Sequence, residues 1–156
     1  MISEGDKAPD VTLATDDGKT SRLSALAGRP VVLYFYPKDD TPGCTTEAKD
    51  FTCLMDDFRK AGAEVIGISP DSAKSHLKFR EKFDLKVQLA SDDEDKSIAQ
   101  AFGSWVEKSM YGKTYMGVDR STFLIDKSGK VAKAWRKVKA AGHAEEVLAA
   151  VKALKK

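Results

Sequence analysis

An α/β fold, with a central mixed β-sheet flanked by helices and a small N-terminal hairpin, is predicted by three features of this 156-residue sequence. Apolar runs at Val31 to Tyr36, Glu64 to Ser69 and Val87 to Ala90 are short and rich in branched and aromatic residues, so they read as buried strands. Amphipathic helical stretches separate them, and that alternation implies crossovers and parallel pairing. Nearer the end, Ser121 to Asp126 and Lys130 to Trp135 flank a turn at Lys127 to Gly129 and read as an antiparallel hairpin, which makes the sheet mixed.

Residues 1 to 10 are an irregular lead-in punctuated by Gly5 and Pro9. Val11 to Leu13 alternates as a strand and TDDGK is a turn, which gives the first hairpin; Ser24 to Gly28 is a brief helical turn. The unbroken run from Val31 to Tyr36 ends at Pro37 and has the pattern of a strand buried on both faces. After a turn at Lys38 to Asp40, Thr41 and Pro42 mark a helix start. The hydroxyl is placed to cap free N–H groups, and proline at the first helical position loses no bond. Phe51, Leu54, Met55 and Phe58 share the apolar face of this helix, which stops near Gly62. Ser72 begins a helix through Phe83, and SDDED precedes another from about Lys96 to Phe102, its carboxylates favoured by the helix dipole. The basic run from Lys127 to Lys139 reads as a solvated hairpin face. A helix from Ala144 to Leu154 closes the chain, with Val147, Leu148, Val151 and Leu154 on one face and His143 just before it.

The chemistry centres on Cys44, which falls in the first turn of the helix after the central strand. A thiol there faces unpaired N–H groups and the positive end of the dipole, which favour the thiolate, the form that attacks. Cys53, nine positions on, points about 180° away, onto the polar face with Lys49, Asp57 and Lys60. A continuous helix separates the two residues by roughly 13 Å of rise, beyond the ~4.4 to 6.8 Å between Cα atoms that a disulfide allows. They cannot pair without local unfolding. His76 and His143 do not combine with the cysteines at metal-binding spacing, so no metal site is expected. Trp105, Tyr111 and Tyr115 are candidate walls of a pocket near the site, with simple packing the plainer role.

The segment PKDDTPGCT resembles the active-site segment of the peroxiredoxins, and its surroundings are similar to the bacterioferritin-comigratory protein or PrxQ branch. The likeness spans nearly the whole chain, through GDKAPDVTL, VVLYFYPKDDTPGCTTEA, EVIGISPDS, LASDDE and WVEKSMYGKTYMGVDRSTFLIDKSGKV. It implies a single thioredoxin-like domain over residues 1 to 156. It also implies that Cys44 is the peroxidatic cysteine, that Pro37 and Thr41 support it, and that Arg120 is the cation beside the thiolate. Arginine keeps its charge and offers several donors, suited to thiolate and to a developing alkoxide. Thr41 would hold the O–O bond in line with sulfur, and Pro37 would shield the site. The chain departs from the branch in one respect. Many members carry a resolving cysteine five residues after the peroxidatic one, where this chain has Lys49, or on the next helix, and SAKSHLKFREKF has none. Cys53 is the possible resolving residue. Three cycles stay open: a Cys44–Cys53 disulfide after unwinding, an intermolecular disulfide, or attack on the sulfenic acid by an external thiol.

The expected activity is reduction of hydrogen peroxide and small organic hydroperoxides, with thioredoxin or another thiol as reductant and no cofactor. A redox sensor or holdase using the same cysteine is the competing reading, separated from it by rapid multiple turnover. A thioredoxin-type reductase would need two cysteines separated by two residues, which the sequence lacks. With 42% hydrophobic and 32% charged residues and a net charge of +2, nothing points to nucleic acid or a membrane surface. The start, MISEGDKAPD, lacks the basic and apolar regions of a secretory signal, and two cysteines make no disulfide framework, so a cytoplasmic location is expected, while the family resemblance implies a monomer.

Overall fold

The computed structural model describes residues 3–15, 19–26, 28–92 and 96–154. The strands are β1 (Thr12–Thr15), β2 (Thr20–Arg22), β3 (Val31–Phe35), β4 (Glu64–Ser69), β5 (Gln88–Ser91), β6 (Trp105–Met110), β7 (Lys113–Val118), β8 (Ser121–Ile125) and β9 (Val131–Trp135). The helices are α1 (Pro42–Cys53), α2 (Met55–Lys60), α3 (Ala73–Phe83), α4 (Ser97–Ala101) and α5 (His143–Ala153), with a 3-10 turn at Leu23–Leu26. Seven strands form one sheet in the order β2-β1-β5-β4-β3-β8-β9, with β3, β4 and β5 parallel and the other pairings antiparallel. The mixed α/β architecture expected from the sequence is therefore the one observed. The hairpin tip at residues 16–18, Ala27 of the expected helical turn and residues 93–95 of the SDDED run lie outside the described residues.

All five β3 residues are buried because alternate side chains enter different cores. Val32 and Tyr34, continued by Tyr36, join Phe51, Phe58, Phe79 and Val147 beneath α1, α2, α3 and α5. Val31, Leu33 and Phe35 join Ile66, Ile68, Ile98, Phe102 and Phe123 on the other face, where α4 packs. The Tyr34 ring lies over Gly67 of β4, where a Cβ would meet the phenol ring carbon at 2.6 Å, so a side chain there would displace the ring. Tyr34 also stacks on Phe51 at 4.6 Å between centroids, which couples the central strand to the helix that carries Cys44.

Several elements differ from the sequence reading. The helix after Thr41 breaks at Leu54, which caps both α1 and α2, so the apolar stripe is split between two short helices. His143 is the first residue of α5, following Gly142 at φ 76°. Of the acidic run, Asp92 is the residue seen to cap α4, accepting from the N–H groups of Ile98 at 3.1 Å and Ala99 at 2.9 Å. The largest difference is the β6–β7 hairpin, a two-stranded sheet apart from the main one. Its turn places Tyr111 and Gly112 at φ 53° and 78°, the two left-handed residues of a tight hairpin. Tyr111 is 98% exposed, so it walls no pocket, whereas Trp105 packs against the second core.

Candidate active site

Sheet topology builds the site. β8 runs antiparallel to β3 with Phe35 opposite Ser121, so the residue before β8 lies beside the loop that leaves β3. That residue is Arg120, 76 positions from Cys44 in sequence. Its backbone is fixed on both sides: the Arg120 carbonyl accepts from the Val138 N–H at 2.9 Å, and the Asp119 N–H donates to the Ser104 carbonyl at 2.8 Å. The Ser104 and Ser121 hydroxyls meet at 2.6 Å underneath.

Cys44 is the third residue of α1 and is 2% exposed. The guanidinium of Arg120 spans two partners, with Nη2 donating to Cys44 Sγ at 3.1 Å and Nη1 donating to Glu47 Oε1 at 2.7 Å. One fixed cation thus faces a sulfur and a carboxylate one helical turn apart. Gly43 leaves room beside it: a Cβ there would come within 3.2 Å of Arg120 Nη2 and the guanidinium would have to shift by a few tenths of an ångström. The structure brings Cys44 and Arg120 together, as the resemblance implied.

Thr41 is placed as the helix N-cap but does not cap with its side chain. Its hydroxyl donates instead to the Lys38 carbonyl at 2.9 Å, which corrects the capping role read from the sequence. The oxygen keeps its lone pairs for an incoming donor. Pro37 is half-buried at the exit of β3. Cys53, at the far end of the continuous α1, is exposed while Cys44 is buried, and both are free thiols. Among the described residues, no group of three or more His, Cys, Asp and Glu side chains is placed to hold a metal. No described helix is long and apolar enough to cross a membrane.

Glu47 was not singled out in the sequence, although its position three residues after Cys44 puts it on the neighbouring buried face. It is fully buried, and Oε2 has no hydrogen-bond partner among the described residues. Burial raises its carboxyl from an ordinary 4.5 to about 7, against the lowering effect of Arg120. The pKa of Arg120 is raised as well, but by its neighbours: burial disfavours its charge, and Glu47 and Cys44 outweigh that. The guanidinium therefore stays charged. Burial, then the charges of Glu47 and Cys44, push the Tyr34 phenol well above its usual range, so it stays neutral.

The Glu47 shift has a direct consequence for stability. Between the ordinary carboxylate value and about 7, the folded chain holds a proton that the unfolded chain has released. Stability therefore falls as pH rises through that window and levels off above it, by roughly 3 kcal/mol from this group. Denaturant unfolding of the native chain and Glu47→Gln at about pH 5 and about pH 8 checks this. The native chain is expected to lose more stability than the variant on going to the higher pH.

The AhpC/TSA family model matches residues 4–134. Peroxiredoxin Bcp of Bacillus subtilis is 52% identical over 97% of this chain and 96% of its own length. Peroxiredoxin Bcp of Xanthomonas campestris is 51% identical over 92% of this chain and 89% of its own. A solved structure of the Xanthomonas campestris bacterioferritin comigratory protein, described for its alkyl peroxide reduction activity, superposes with a TM-score of 0.92. It is 47% identical and covers 99% of this chain and 100% of its own. The match of sequence, fold and relatives leaves one conclusion: this chain is a peroxiredoxin of the AhpC/TSA family, in the Bcp/PrxQ branch.

Proposed function

We infer that the chain reduces hydrogen peroxide and small organic hydroperoxides through Cys44, and that an external thiol returns the enzyme to its starting state. The observation that carries this reading is the 3.1 Å contact from Arg120 to a sulfur in the first turn of α1. Helix donors and a permanent cation both favour thiolate there. Cys44 sulfur attacks the outer peroxide oxygen; an S–O bond forms as the O–O bond breaks. The electron pair leaves on the departing oxygen, which takes a proton to become water or an alcohol. Sulfur is oxidised to sulfenic acid. Arg120 sits where charge moves from sulfur to the leaving oxygen, so its stabilisation is spent in the transition state. The Thr41 hydroxyl, already donating to Lys38, accepts from the peroxide O–H and lines it up with sulfur. Pro37 limits water at the loop.

The sulfenic acid is then condensed with a thiol, giving a mixed disulfide and water. A second thiol displaces Cys44 and carries the disulfide away. The placement of Cys53 at the opposite end of α1 from Cys44 supports external thiols in both steps. Thioredoxin is the reductant class this chemistry fits, in a reducing compartment such as the cytoplasm, with the chain acting as a monomer. Cys53→Ser is expected to keep steady-state peroxide turnover within about twofold with dithiothreitol or thioredoxin as reductant. Loss of recycling in this variant, with peroxide attack intact, would assign Cys53 as the resolving residue instead. Repeated turnover with excess reductant also separates this reading from a sensor, which would be oxidised once and stop.

A further inference from the structure

A second buried polar cluster lies outside the contacts of Cys44, Arg120 and Glu47, on the loop between β3 and α1. Asp39 is 6% exposed and its carboxylate receives three groups. The Tyr36 hydroxyl donates to Oδ1 at 2.6 Å, the Ser75 hydroxyl donates to Oδ2 at 2.8 Å, and Nδ1 of the fully buried His76 meets Oδ2 at 2.8 Å. The Asp39 N–H donates to Asp71 Oδ2 at 2.7 Å, and the Ser69 hydroxyl donates to the same oxygen at 2.7 Å. On its other side His76 Nε2 meets the Ala90 carbonyl of β5 at 3.0 Å.

A carbonyl only accepts, so Nε2 carries a proton. Nδ1 faces Asp39 Oδ2 at 2.8 Å, so the ring bridges the loop and β5. Four side chains, those of Tyr36, Asp71, Ser75 and His76, converge on this one loop residue, and both oxygens of the Asp39 carboxylate are engaged. Nothing in peroxide attack uses them. What they hold is the loop immediately ahead of Thr41 and the first turn of α1, where Asp40 sits at φ 58° and its carboxylate takes Lys82 of α3 at 2.7 Å.

Cys44 is 2% exposed, so in this conformation its sulfur is closed to the thiol of another protein. Reduction of the oxidised sulfur requires the first turn of α1 to open. We propose that the Asp39–His76 pair, with Tyr36 and Ser75, is the latch that holds this segment closed, and so sets the division between peroxide attack in the closed form and reduction by a thiol in the open one. Asp39 and His76 are positioning residues, acting on Cys44 through the loop. The idea rests on the peroxidase reading above.

Two half-reactions test it in the full chain: oxidation of Cys44 by hydrogen peroxide, and reduction of the oxidised form by dithiothreitol. In Asp39→Ala, attack is expected to slow about tenfold while reduction accelerates about tenfold, because broken latch bonds favour local opening. Asp39→Asn should restore both rates to within about threefold, since its amide can accept from Tyr36 and donate to a neutral His76. Val151→Ala, a core truncation in α5, controls for general destabilisation and should leave the ratio of the two rates unchanged. If Asp39→Ala folds poorly, Ser75→Ala removes a single latch bond and should shift both rates in the same directions, by about threefold. Amide exchange in the first turn of α1 should speed up in Asp39→Ala whatever the chemistry of the cysteine. Rates that fall together, or a ratio equal to that of Val151→Ala, would overturn the latch. A native chain whose Cys44 is not oxidised at all would overturn the peroxidase reading instead, while amide exchange would still report on the latch.

Discussion

Replacing Cys44 by serine is expected to abolish peroxide consumption, to the background of peroxide and reductant alone. The side chain keeps nearly the same volume at a buried position, so the fold should persist. What is lost is the nucleophile. A serine hydroxyl is almost wholly protonated near neutral pH, and its oxygen lacks the polarisable electron pair that attacks the O–O bond. Arg120 and the helix donors cannot compensate, since they stabilise an anion that serine does not supply. Peroxide consumption in the ferrous-oxidation assay, beside a circular dichroism spectrum matching the native chain, checks both halves. Full consumption by a folded Cys44→Ser chain would defeat the catalytic assignment.

Arg120→Ala carries the second large effect. Peroxide attack is expected to slow by about two to three orders of magnitude, the range for removing a preorganised donor from a developing charge. Arg120→Lys should recover little of it. The guanidinium reaches Cys44 with one nitrogen and Glu47 with another, and a single ammonium cannot occupy both positions. The alanine variant also leaves the Glu47 carboxylate buried without its cation. Its pKa should then rise above about 7, because burial continues to act and the lowering influence of Arg120 is gone. Stopped-flow oxidation rates for native, Lys and Ala chains test the chemistry. A native rate in Arg120→Ala would show the contact to be structural.

Part of this site was legible in sequence, for physical reasons that vary by residue. Cys44 could be placed in a first helical turn because Thr41 and Pro42 punctuate the chain just ahead of it. Arg120 could be brought in only by the family likeness. A contact across 76 residues depends on β8 pairing antiparallel with β3, and no local pattern encodes that register. Thr41 was assigned the wrong bond because capping and a turn inside the loop compete for the same hydroxyl, and Lys38 holds it.

The residues overlooked share one trait: they are polar and buried. Glu47 reads as an ordinary helix-surface acid until its spacing from Cys44 is counted. Asp39 resembles a turn residue, and His76 was considered only as a metal ligand. Each carboxyl is buried because it is met by a group distant in sequence, Arg120 for Glu47 and His76 for Asp39. The β6–β7 hairpin escaped notice for the opposite reason. Its strands mix charged and apolar residues on an exposed ribbon, and its turn uses Tyr111 where asparagine or aspartate usually signals the left-handed position.

The most direct measurement is the intact mass of the reduced chain after one equivalent of hydrogen peroxide, with the modified peptide identified. The account predicts a single added oxygen on Cys44, absent in Cys44→Ser and unchanged in Cys53→Ser, that disappears when thiol is restored. An oxygen on Cys53 alone, or no modification while peroxide is still consumed, would contradict it.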